Sequence, residues 1–93
     1  MISREMNLTV EELEKLLAEK YELVQIADKN CFKLAGGRFI AISAITAYNA
    51  VVVEYADNYE DAKLFRFEDG DMFPLEGAEL NDLFQAICRE IEQ

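Results

Sequence analysis

The apolar positions change period along this chain, and each change marks an element. Val10, Leu13, Leu16 and Leu17 recur at three- and four-residue spacing, which predicts a helix near residues 9–20. Thr9-Val10-Glu11-Glu12 reads as a capping box at its start, the threonine accepting from the third helical amide while Glu12 reaches back. Over residues 21–27 the period drops to two, Tyr21, Leu23 and Gln25 alternating with Glu22, Val24 and Ile26, and Asp28-Lys29-Asn30 reads as the turn behind this strand. Residues 31–35 and 38–45 form two strands around Gly36-Gly37, whose residues take positive φ without Cβ strain. Val51, Val52, Val53 and Tyr55 mark a fourth strand over 50–56. These four strands are consecutive and closely linked, so an antiparallel meander is the simplest sheet.

The pattern is weaker between residues 58 and 75. Asn58-Tyr59-Glu60-Asp61 resembles an N-cap followed by acids that suit the positive end of a helix, with Gly70 ending it. The competing reading is a hairpin of 63–68 and 71–75 around Asp69-Gly70. A short helix is preferred, because Tyr59, Ala62 and Phe65 share a helical face. After Pro74 and Gly77, the stripe Leu80, Leu83, Phe84, Ile87 and Ile91 predicts a last helix over 78–91. The expected fold is α+β: an N-terminal helix, a four-stranded antiparallel meander, a short helix or hairpin, and a C-terminal helix, with the helices on one sheet face.

Composition bounds this picture. With 93 residues, 52% apolar and 30% charged, the chain is expected to form a single domain, 1–93, around one core. The start, Met1-Ile2-Ser3-Arg4-Glu5, lacks the apolar run of a signal peptide, and no apolar stretch is long enough to span a bilayer. A cytoplasmic protein without a membrane partner is therefore expected. Cys31 and Cys88 fit no metal-ligand spacing and read as reduced core residues, with a disulfide as the second reading.

Charge changes the picture most. Residues 54–82 hold ten of the nineteen carboxylates and only two cations, Lys63 and Arg66. Residues 31–53 contain no acid, only Lys33 and Arg38. The absence of histidine and the short hydroxyl inventory, Ser3, Thr9, Ser43 and Thr46, leave no nucleophile with an evident base. A carboxylate-pair hydrolase would need a deep cleft, so no enzyme is expected. A calcium loop starting at Asp69 fails at its fifth position, Phe73, so no metal and no cofactor is expected. A net charge of −10 opposes direct nucleic-acid binding.

The acidic stretch is interleaved with Tyr55, Tyr59, Phe65, Phe67 and Phe73, and rim charge around aromatic anchors is a common interface design. The expected partner is a basic protein, a nucleic-acid-binding enzyme being the commonest large cationic surface. The candidate contact residues are Glu60, Asp61, Glu68, Asp69 and Asp71, with Tyr59 and Phe67 as apolar anchors. Rows of acids such as Glu60/Asp61, Glu68/Asp69/Asp71, Glu76/Glu79/Asp82 and Glu11/Glu12/Glu14 could stand at phosphate-like intervals. In size, acidity and helix–sheet–helix order, the chain resembles small phage-encoded inhibitors of anti-CRISPR or anti-restriction type, particularly the acidic anti-CRISPR proteins that mimic nucleic acid. That resemblance implies a non-enzymatic inhibitor. The alternative reading is a homo-oligomerising or adaptor domain, a homodimer among its forms, that works through the neutral sheet at 31–53.

Overall fold

The structure, a computed structural model, describes residues 4–92. Its architecture is α+β, in the order α1 (Arg4–Lys20), β1 (Glu22–Ile26), β2 (Lys29–Lys33), β3 (Phe39–Ile45), β4 (Ala50–Ala56), α2 (Tyr59–Lys63), β5 (Glu68–Pro74) and α3 (Leu80–Ile91). The strands form one antiparallel sheet in sequence order, β1-β2-β3-β4-β5. No helix among the described residues is long and apolar enough to cross a membrane.

The sheet has five strands rather than four. Both readings of 58–75 are corrected in part: a one-turn helix forms, but Gly70 lies inside β5 instead of ending that helix. The strand pairs with β4, not with residues 63–68 as the hairpin reading required. Its acids, glycine and proline are poor strand formers. Pairing with β4, whose Val51, Val52 and Val53 are buried, supplies what local propensity does not.

Three smaller corrections have clear causes. Helix α1 starts upstream of Thr9, so the capping box lies within the helix. The first hairpin turns at Ala27-Asp28, both at positive φ (51° and 66°), which is the twist-matched type I′ turn; β2 accordingly begins at Lys29. The second hairpin is wider than two residues: Leu34 N–H donates to Arg38 O, enclosing Ala35, Gly36 and Gly37, and both glycines have φ near +90°.

Alternation splits the sheet into two faces. Phe32, Ile40, Ile42, Val51 and Val53 meet Leu13 and Leu17 of α1 and Leu83, Ile87, Cys88 and Ile91 of α3. Leu13, Leu17 and Ile87 are completely buried, and truncating any one to alanine costs about 2–5 kcal/mol. On the other face Ile26, Cys31, Phe39 and Ala56 pack with Ala62 of α2 and the half-buried Phe67. The short helix therefore lies on the face opposite α1 and α3, which corrects the expectation of one helical layer. Cys31 and Cys88 are free, buried, and belong to different faces.

Candidate partner-binding surface

The acidic segment begins with a helix whose two ends are both tied. Asn58 caps α2, its side-chain oxygen accepting from Asp61 N–H at 2.8 Å, and Glu60 and Asp61 occupy the positive first turn. At the other end Phe65 N–H donates to Ala62 O and Arg66 N–H to Asp61 O. This is the Schellman arrangement, in which the residue after the cap takes left-handed φ and is usually glycine. Here that residue is Phe65, at φ 59°, with its side chain 60% exposed. An L-residue in this region costs about 1–2 kcal/mol, and Phe65 recovers little of it by burial.

Phe65 has exposed apolar neighbours in sequence. Leu64 is 49% exposed and Tyr59 52% exposed. Tyr59 sits edge-on to Phe39, ring centroids 6.2 Å apart at 67°, so one side of its ring is held by the core while the rest faces solvent. Glu60 and Glu68 are exposed and Asp61 half-buried. Among the described residues the ion pairs are Lys20–Glu92 and Lys29–Glu54, so Glu60, Asp61 and Glu68 have no cation within 4.0 Å. The segment thus exposes Tyr59, Leu64 and Phe65 together with carboxylates that form no ion pair, although Lys63 and Arg66 stand exposed among them.

The seven candidate residues do not form one cluster. Tyr59, Glu60 and Asp61 come together on α2, and Glu68 opens β5 opposite Tyr55. Asp69 is opposite Glu54 in the ladder. Asp71 faces α3, where a hydrogen bond with it holds the Glu90 carboxyl above the usual range. Phe67 is half-buried on the second sheet face, with the Lys29 ammonium 4.4 Å above its ring. Lys29 also pairs with Glu54 at 3.2 Å, and Ser43 Oγ donates to the same carboxylate at 3.3 Å. Phe67 packs with Ala62 of α2, while the exposed apolar groups are Phe65, which the sequence named among the interleaved aromatics but not among the contact residues, and Leu64, which it did not single out. Exposure at a Schellman position carries no sequence signal when the residue is not glycine.

The expected helical rows of acids are found on α1 and at the start of α3, not on α2. Glu11 and Glu14 stand one turn apart on α1, and Glu79 and Asp82 flank the start of α3, whereas α2 is too short for a row. The neutral sheet at 31–53 is not an open surface, because Phe39, Ile40, Ala41, Ile42, Val51, Val52 and Val53 are all buried. Among the described residues no group of three or more acids or cysteines could hold a metal ion. Comparison with protein-family models, curated proteins and solved structures gave no match.

Proposed function

We propose that this protein is a small non-enzymatic inhibitor or regulator that docks through α2 and the start of β5 onto a basic, nucleic-acid-handling protein. The observation that carries the reading is Phe65, an exposed aromatic held at left-handed φ, with the exposed Leu64 before it and the exposed Tyr59 on the same short helix segment, where Glu60, Asp61 and Glu68 form no ion pair among the described residues. Backbone strain kept at an exposed apolar residue is a signature of recognition rather than of stability. Apolar anchors exclude water at the centre of an interface, while the acids speed encounter with a cationic surface and reject anionic ones. Mimicry of nucleic acid follows if the partner surface is its phosphate-binding groove. The reading for a homo-oligomer built on the neutral sheet is less favoured, since Ile40, Ile42, Val51 and Val53 pack against α1 and α3, and Phe39, Ala41 and Val52 are buried as well.

The test is competition. A basic nucleic-acid-binding partner captured by the wild-type chain should be released by duplex DNA and by salt, and Phe65→Ser should reduce its capture at least tenfold. Release by neither agent, together with full capture by Phe65→Ser, would remove both the electrostatic and the apolar halves of the proposal.

A further inference from the structure

We infer that the free edge of β1, with the groove beside it, is a second docking site that accepts an extended basic segment of another protein as a sixth strand. The sheet has two edges, and they are treated differently. The outer strand β5 carries a bulge opposite Val53, a glycine, Pro74 and several acids, all of which discourage strand addition. The other edge, β1, reads Glu-Leu-Val-Gln-Ile, without proline, glycine or bulge. Its two-residue turn makes Ile26 and Lys29 a hydrogen-bonded pair, so Leu23 and Gln25 point their N–H and C=O groups away from β2.

Beside that edge a groove of about 270 Å³ runs between α1 and the first hairpin. Ala18 and Leu23 give it apolar walls above the buried Phe32, and Leu23 is 46% exposed. Small-molecule pockets run from about 300 to 1,000 Å³, so this groove suits one or two side chains of a peptide better than a free ligand. Glu11 and Glu14 line it from α1, with Lys15 the one cation among the lining residues. Burial, with a further push from Glu11, raises the Glu14 carboxyl despite a hydrogen bond from Asn30. An incoming lysine or arginine would relieve that desolvated acid.

Charge selects the occupant. A second copy of this chain would bring another −10 and a second set of Glu11, Glu14, Glu19 and Glu22 to the same edge. A basic segment brings the opposite sign, while alternation places its cations over the groove and its other side chains on the far face. The site is on the α1 side of the sheet, whereas α2 packs on the other side, so it stands or falls independently of the α2 surface.

The test uses the full chain, isotopically labelled, titrated with a seven-residue peptide alternating lysine and valine, and with its glutamate–valine counterpart. The lysine peptide should bind saturably, shift the Leu23, Val24 and Gln25 amides, and slow hydrogen exchange at Leu23 and Gln25. The glutamate peptide should do neither. Glu11→Gln with Glu14→Gln should weaken binding at least tenfold. Gln25→Pro removes an outward donor and should abolish it; Leu23→Lys, at an already half-exposed side chain, should do the same without altering the melting temperature. Lysine-peptide shifts confined to other acidic surfaces would overturn the proposal. So would protection of Leu23 and Gln25 that rises with protein concentration in the absence of peptide, which would make the edge a self-association site.

Discussion

The ring of Tyr55 on β4 lies over Gly70 on β5, in the space a side chain at Gly70 would need. A Cβ built there would strike the ring and come within 2.6 Å of the Val53 carbonyl oxygen. The glycine is where the bulge lets β5 rejoin β4, so the absence of a side chain is a condition for the fifth strand. Gly70→Ala should destabilise the fold by about 1–3 kcal/mol, the usual cost of overpacking. Urea denaturation measures it, and loss of protection at β5 amides should accompany it.

Phe65 offers the reverse case. Phe65→Gly removes an exposed ring and gives the left-handed position the residue it favours, so stability should rise by about 1 kcal/mol. Partner binding should fall in the same variant. A mutation that strengthens the fold while it weakens recognition would separate the two roles cleanly in thermal melts and binding assays.

The Lys29–Glu54 pair is the polar counterpart on the second sheet face. Both side chains are mostly buried, at 30% and 22% exposure, and Phe67 sits under the ammonium. Glu54→Ala leaves Lys29 without its carboxylate and Ser43 without its acceptor. The expected loss is about 1–3 kcal/mol, read by chemical denaturation. Lys29→Met with Glu54→Leu, which removes both charges, should cost less than Glu54→Ala.

The pH profile has a defined shape. Burial first and the hydrogen bond to Glu92 second push the Tyr21 phenol up to about 12, from an ordinary 10. A raised folded value means its contribution is fully present below pH 10 and is lost as pH rises through about 12. Burial also raises the Tyr55 phenol, so ultraviolet titration should show Tyr21 and Tyr55 ionising late, the Tyr21 step with loss of the contact between the ends of α1 and α3. On the acid side, Glu14 is raised chiefly by burial and Glu90 chiefly by its hydrogen bond with Asp71, so stability increases as pH falls toward 4.5. Glu92, lowered by its hydrogen bonds with Lys20 and Tyr21, acts in the opposite direction once pH drops below 4.5. Thermal melts should peak in mild acid and not at neutrality.

Elements whose pattern expresses burial directly could be read from the chain. The stripe Leu80, Leu83, Phe84, Ile87 and Ile91 names the inward side of α3, and the valines of β4 name a strand buried on both faces. β5 could not be read, because Glu68, Asp69, Gly70, Asp71 and Pro74 all argue against a strand that only its neighbour makes possible. The Ala27-Asp28 turn was hidden for a similar reason: alanine at positive φ is imposed by hairpin twist and is not a preference of the residue. For the candidate surface, the charge segregation singled out a segment in which the structure brings Tyr59, Glu60 and Asp61 together on α2. Which aromatics face outward depended on side-chain packing across the sheet, where Phe67 lies beneath Lys29 while Phe65 stays 60% exposed.

The most direct measurement compares two charge reversals of equal size in capture from a lysate of the source cell, with duplex DNA as competitor. One is Glu60→Lys with Glu68→Lys, on the proposed surface; the other is Glu12→Lys with Glu19→Lys, exposed on α1. Wild type and the α1 variant should retain the same basic, nucleic-acid-binding protein and release it to DNA, while the α2–β5 variant loses it. Equal retention by both variants, with both folded, would contradict the account and leave the acids as a solubilising coat.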